Sequence, residues 1–89
     1  MTPVIIEKIS EQEIESRGIG EWPIWTKEVS RFPWQYDQTE QCLILEGDVV
    51  VRVGEEEFRI RKGDFVTFAR GVSCEWEILS PVRKHYNFS

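Results

Sequence analysis

Alternating apolar and polar residues along most of the chain predict short β-strands that are joined by tight turns. The clearest case is the run Phe58-Arg59-Ile60-Arg61, in which every second residue is apolar. From Trp22 onward helical periodicity is absent, and β-branched and aromatic residues dominate the runs between glycine-containing turns. The pattern predicts roughly eight to ten strands, which we place at 4–9, 24–29, 32–36, 40–45, 49–53, 58–61, 65–68, 73–79 and 82–88.

One helix is predicted near the start of the chain. Ser10-Glu11-Gln12-Glu13 has the form of a capping box, so a short helix is expected over 11–17, ending at Gly18. Further along, Glu46-Gly47-Asp48 predicts a hairpin between two strands, because glycine readily adopts the positive φ of a tight turn.

These elements predict an all-β fold with one short N-terminal helix. Many short strands separated by glycine turns are typical of a small antiparallel β-barrel or jelly roll. The chain has 89 residues, of which 40% are apolar and four are tryptophans, which is enough for one compact core. No linker or repeat is visible, so we expect a single domain over 1–89.

Charge and composition exclude several classes of partner. Sixteen acidic and eleven basic residues give a net charge of −5, and the basic residues are scattered, which argues against nucleic acid and anionic membranes. No apolar run approaches the length of a membrane span or a secretory h-region. Cys42 and Cys74 lack CxxC spacing, so we expect reduced thiols in a cytoplasmic protein.

The middle of the chain resembles the two-motif signature of the cupins. Glu40, six residues and then Gly47 resemble the end of the first motif, and Gly63, followed eight positions later by Gly71, resembles the second. Other signature positions hold different residues: the two histidines of the first motif fall on Trp34 and Tyr36, the proline of the second on Ala69, and its histidine on Cys74.

A narrower resemblance is to very small single-domain cupins. It is carried by Trp22-Pro23-Ile24-Trp25, by Glu40-Gln41-Cys42, by Leu45-Glu46-Gly47 and by the tail 81–87. This subgroup is related to the cupin domains of (S)-ureidoglycine aminohydrolase and ethanolamine-utilisation protein Q. The resemblance implies a β-barrel whose interior is a binding or catalytic site.

The usual metal site of cupins cannot be built from these residues. It needs neutral imidazoles beside a carboxylate, and the single histidine, His85, lies outside both motifs. Tryptophan offers no lone pair, and tyrosine ligates weakly while it is protonated. No cofactor is therefore expected; if a divalent metal binds, Glu40 and Cys74 are the expected ligands.

Strand alternation predicts which side chains share the barrel interior. If Glu40 faces inward, so do Trp34, Tyr36 and Cys42, and on another strand Cys74 and Trp76 share one face. In the tail, either Lys84 with Tyr86 or Arg83 with His85 faces inward, and spacing leaves this open. Trp22 and Trp25 are expected on the outside of the barrel or at a dimer contact. The predicted ligand-binding residues are Trp34, Tyr36, Glu40, Cys42, Cys74, Trp76 and His85, with Glu40, Tyr36 and Cys74 as catalytic candidates.

Each candidate also has a purely structural interpretation. Glu40 can be a buried acid that accepts hydrogen bonds from Tyr or Trp donors, and Cys42 and Cys74 can be small buried thiols.

Our leading hypothesis is a small cupin that binds a small polar metabolite in the barrel interior, with acid–base catalysis by Glu40 left open. One alternative is a metal-dependent enzyme acting on ureido or amino metabolites. The other is a non-catalytic structural or partner-binding module. A homodimer is expected, since a chain this short gains stability from association.

Overall fold

The computed structural model describes residues 3–89, and within them antiparallel strands dominate. The elements in chain order are β1 (Val4–Lys8), α1 (Glu11–Ser16), a 3₁₀ turn (Ile19–Glu21), β2 (Ile24–Lys27), β3 (Ser30–Gln35), β4 (Glu40–Val53), β5 (Glu56–Arg61), β6 (Asp64–Phe68) and β7 (Ser73–Phe88). The predicted all-β fold with one short N-terminal helix is confirmed.

The short helix forms as its capping residues predict. The hydroxyl of Ser10 accepts a hydrogen bond of 3.1 Å from the backbone N–H of Glu13, which satisfies one of the free donors of the first turn. Gly18 follows the helix with φ of 67°, the left-handed conformation that commonly ends helices.

The strands β4 and β7 are 14 and 16 residues long and run through the whole molecule. Their pairing divides the antiparallel sheet into two halves. In the first half, the order is β1-β6-β4-β7-β2; in the second, β5 pairs with β4 and β3 pairs with β7. The sheet is a two-layered cupin-like sandwich and does not close into the expected barrel.

Two predicted breaks between strands are wrong. Glu46-Gly47-Asp48 is not a hairpin, because β4 continues through it, and β7 continues through Pro81. The register between β4 and β7 shifts between Ile44 and Val49, which marks β-bulges. A bulge bends a strand without reversing it, so the glycine and proline signals mark bends here.

Both faces of the first half are covered by apolar residues. The main core includes Ile44, Val66 and Phe68 on the inner face. A smaller cluster of Ile19 and Leu43, with Phe65, lies on the outer face beside the 3₁₀ turn. No helix within residues 3–89 is long and apolar enough to cross a membrane.

Candidate functional site

A cavity of about 210 Å³ opens at one end of the sandwich, between the two halves of the sheet. Trp34 and Phe88, which are 49% and 40% exposed, mark its mouth. We call it the aromatic cavity, and its lining residues are Trp25, Phe32, Trp34, Tyr36, Glu40, Trp76, Lys84, Tyr86 and Phe88.

Glu40 provides the carboxylate of the aromatic cavity. It begins β4, is only 3% exposed and faces inward, which is the condition on which the predicted grouping with Trp34 and Tyr36 depended. A buried carboxylate needs a partner, because transfer of an unpaired charge from water is costly. That partner is Lys84, whose Nζ atom donates a hydrogen bond of 2.8 Å to the Oε2 atom of Glu40.

Lys84 is held by two indole rings as well as by Glu40. Its Nζ atom lies 4.9 Å from the ring centroid of Trp25 and 4.6 Å from that of Trp76. The register of β2 on β7 places Trp25 directly opposite Lys84. Such cation–π contacts contribute about 2 kcal/mol or more when they are desolvated, and Lys84 is only 5% exposed. The ammonium group is therefore paired on one side and covered by aromatic faces on others.

The walls of the aromatic cavity are built from rings that contact one another. Phe32 stacks on Trp76 with centroids 6.2 Å apart, and Trp25 meets Trp76 edge to face. Trp34 meets Tyr36 in the same edge-to-face manner at 6.4 Å. Each ring is thus supported by a neighbour, which favours a preformed cavity.

Tyr36 carries its hydroxyl into this environment as a neutral phenol. Burial, and then the negative charge of the nearby Glu40 carboxylate, raises the pKa of Tyr36 far above its ordinary value of 10.0. At neutral pH its hydroxyl can donate a hydrogen bond but cannot act as a base.

The two thiols lie in the core and do not line the aromatic cavity. Cys42 shares the inward face of β4 but is fully buried, and Cys74 lies opposite Trp34 on the neighbouring strand. Burial raises the pKa of Cys42 to about 12 and that of Cys74 to about 11. A nucleophilic cysteine reacts as the thiolate, so at neutral pH both remain inert thiols in this structure.

The predicted ligand-binding residue His85 lies outside the aromatic cavity. Its Nδ1 atom is 2.9 Å from the backbone carbonyl oxygen of Trp22, on the opposite face of β7 from Lys84 and Tyr86. Spacing left open which alternate residues of the tail face inward. The structure places Lys84 and Tyr86 inward, and His85 is on the other face because successive residues of a strand point to opposite faces. Trp22 packs against Phe65, away from the cavity.

The structure brings together four of the predicted ligand-binding residues, Trp34, Tyr36, Glu40 and Trp76. Sequence analysis expected Trp25 on the outside or at a dimer contact, whereas the structure has it against Lys84. Other lining residues were not identified as candidates: Phe32, Lys84, Tyr86 and Phe88. Positions 84, 86 and 88 alternate along one strand face, which is the signal that could have found them once Lys84 was known to face Glu40.

The side chains at this site do not fit a metal ion. Within residues 3–89, no group of three or more His, Cys, Asp and Glu side chains is arranged to hold one. The carboxylate of Glu40 is already engaged by an ammonium group, which would repel a cation. Among the described residues, no further His, Cys, Asp or Glu side chain therefore joins Glu40 and Cys74 to form a metal site.

Comparison with known proteins gives a consistent result. A family model described as the EutQ-like cupin domain matches residues 14–86. The crystal structure of a DUF861 family protein from Thermotoga maritima is 48% identical to this chain. It superposes with a TM-score of 0.94, covering 97% of this chain and 99% of that one. A search of curated proteins gave no match.

Two more distant structures share the fold. A putative ethanolamine utilization protein Q from Salmonella typhimurium is 21% identical, with a TM-score of 0.67 over 96% of this chain and 68% of that one. The EutQ protein of Clostridium difficile is 13% identical, with a TM-score of 0.68 over 96% of this chain and 66% of that one.

Proposed function

The chain belongs to the family of EutQ-like cupin domains, and on this premise we propose that it binds a small, flat, polar molecule in the aromatic cavity. The observation that carries the proposal is the lining of that cavity, which combines aromatic walls with one buried pair of charges, Glu40 and Lys84. Apolar walls with a few convergent polar groups are the usual composition of a small-molecule site.

The size of the cavity limits the ligand. Drug-sized ligands occupy pockets of about 300–1,000 Å³, whereas this cavity measures about 210 Å³. A molecule with a single ring and one polar substituent is of the right class. The stacked pair Phe32 and Trp76 favours a flat partner, because aromatic faces pack best against planar groups.

Binding is the activity that the geometry supports best. Glu40 holds the ammonium group of Lys84 through Oε2, so acid–base catalysis by Glu40 requires a ligand that replaces or shares this contact. Neither Cys42 nor Cys74 lines the cavity to assist such a step. Binding of a ligand without a metal ion requires only the side chains that already line the cavity.

The four tryptophans provide an experiment with an internal control. Three of them, Trp25, Trp34 and Trp76, line the aromatic cavity, and Trp22 does not. A panel of single-ring compounds is titrated into ¹⁵N-labelled protein, and the four indole N–H signals, assigned by single Trp→Phe substitutions, are followed by NMR. We expect at least one compound to shift the three cavity signals in a saturable manner while the Trp22 signal stays unchanged. Absence of such shifts across the panel, or shifts confined to Trp22, would exclude the proposed site.

A further inference from the structure

Lys84 supplies a positive charge next to the position at which the cupin signature has its metal-binding glutamate. Glu40 stands at that signature position, and the Nζ atom of Lys84 lies 2.8 Å from its carboxylate. Both side chains are almost completely buried and line the same cavity. The chain thus carries a covalently attached cation next to Glu40, and no cluster of His, Cys, Asp and Glu side chains among residues 3–89 is arranged to hold a metal there.

We infer that Lys84 acts as the cation of this site in place of a metal ion, and that with Glu40 it selects a neutral ligand group that has a hydrogen-bond acceptor next to a donor, such as a primary carboxamide. The inference rests on the proposed function and specifies the ligand that the aromatic cavity takes.

The hydrogen-bonding capacity of the pair supports this ligand class. A lysine ammonium has three N–H donors, and one of them is used by Glu40. An ionised carboxylate has about four acceptor positions, and the contact with Lys84 uses Oε2. The pair can therefore donate to a carbonyl oxygen and accept from an adjacent N–H group. Both bonds would be charge-assisted, and such bonds are the stronger ones in proteins.

The charges of the pair disfavour ionised ligands. The indole faces of Trp25 and Trp76, which would attract a ligand cation, already cover the ammonium of Lys84. A second cation would meet that ammonium at close range. An anion would bind Lys84 but would add an uncompensated charge beside Glu40 in a buried site, which is costly. A neutral group with both a donor and an acceptor avoids both penalties.

Three compounds with the same ring test the selection directly. Benzamide is neutral and carries an acceptor beside a donor, benzoate is an anion with acceptors only, and benzamidine is a cation with donors only. They are titrated separately at pH 7.5 in the presence of EDTA, with the indole signals of Trp25, Trp34 and Trp76 as the readout. We expect benzamide to bind at least about tenfold more tightly than either charged compound, the difference that one charge-assisted hydrogen bond provides.

A double variant separates the effect of the pair from that of the ring. Glu40→Gln with Lys84→Met removes both charges, keeps the approximate side-chain shapes and leaves no unpaired charge that would prevent folding. We expect its preference for benzamide over benzoate and benzamidine to fall below about threefold. The control is Glu13→Gln with Arg17→Met, which removes an exposed ion pair at the C-terminal end of α1 and should leave the preference unchanged.

The outcomes distinguish the inference from the proposed function. If none of the compounds, in the series or in the wider panel, shifts the cavity signals, the proposed function fails and the inference fails with it. Three failures overturn the inference alone: equal binding of the three compounds, tighter binding of a charged one, or an unchanged preference in the double variant. Binding that is lost in EDTA and restored by Mn²⁺ or Zn²⁺ would also overturn it, because the cation would then be a metal ion.

Discussion

The backbone of Gly47 in β4 lies directly against that of Val82 in β7. A β-carbon on Gly47 would be 2.8 Å from the Cα atom of Val82 and 3.0 Å from the carbonyl oxygen of Pro81. This contact lies where both long strands bend between the two halves of the sheet. The bend matters for the site because Trp76 and Lys84 are eight residues apart on β7. In a straight strand their Cα atoms would be about 26 Å apart. In the bent strand the ammonium of Lys84 lies 4.6 Å from the centroid of Trp76.

Substitution of Gly47 is therefore expected to destabilise the protein strongly. Gly47→Ala places a methyl group within 3 Å of backbone atoms and requires a φ of 126°, which residues with a side chain rarely adopt. Overpacking and backbone strain together predict a loss of about 2–4 kcal/mol in the free energy of unfolding, measured with urea. Gly54→Ala is the matched control, since Gly54 also has positive φ but an added β-carbon would have no atom within 4 Å. An equal loss in both variants would show that the close approach to Val82 is unimportant.

The buried pair of Glu40 and Lys84 is expected to show strong coupling. Lys84→Met alone leaves a buried carboxylate without its partner and should cost about 3–5 kcal/mol in the free energy of unfolding. The double variant Glu40→Gln with Lys84→Met should be more stable than Lys84→Met, because no uncompensated charge remains. Urea unfolding of the wild type, both single variants and the double variant measures the coupling. Additive losses would mean that the two charges do not interact.

Stability is expected to decrease in alkaline solution. Burial raises the pKa of Cys42 and Cys74 from 9.0 to about 12 and about 11, and also raises that of Tyr36 above 10.0. Above pH 9 the unfolded chain therefore loses protons that the folded chain keeps, so stability is full below about pH 9 and falls as the pH rises. Urea midpoints at pH 8, 9.5 and 11 measure this decline.

Tyr36→Phe provides the control for the alkaline measurement. It keeps the ring but removes the ionising hydroxyl, so the decline above pH 10 should become shallower while the part that begins near pH 9 remains. A urea midpoint that does not change between pH 8 and pH 11 would contradict the raised pKa values.

Protein purified without a metal-affinity tag is expected to contain far less than one transition-metal ion per chain. The reason is that an ammonium group engages the carboxylate of Glu40 and the chain has one histidine, which faces away from the cavity. Elemental analysis before and after soaking in Mn²⁺, Fe²⁺, Zn²⁺ and Ni²⁺ measures the content. Stoichiometric uptake that is lost in Glu40→Gln would contradict the prediction and favour the metal-dependent alternative.

The chain is expected to form a homodimer at micromolar concentration. The outer strands β1 and β2 of the first half expose the apolar residues Ile5 and Ile24, and strand edges of this kind pair readily with another chain. Sedimentation should show a species of twice the chain mass of 10.5 kDa. Ile5→Lys and Ile24→Lys should each be compared with the wild type to find the edge involved. A single species of 10.5 kDa in the wild type would contradict the prediction.

Much of the secondary structure and part of the site could be predicted because the signals are local. The hydroxyl of Ser10 caps α1 through a residue three positions away, and strand alternation predicted that Glu40 and Tyr36 share one face, as they do in the structure. These features depend on the period of the backbone, which a sequence displays directly. The same reasoning misplaced Trp25, because its position depends on the register of β2 against β7.

The sequence by itself determined that the chain is all-β, where most strands lie, and that Glu40 shares a strand face with aromatic residues in a chain with a single histidine. Only the tertiary structure decided that Gly47 and Pro81 lie within bent strands, that Lys84 faces inward in place of His85, and that its ammonium group meets Glu40. The reason is that alternation specifies two faces of a strand but not which one is buried. That choice is made when distant strands pair, and here the bends in β4 and β7 bring the two halves of the sheet together.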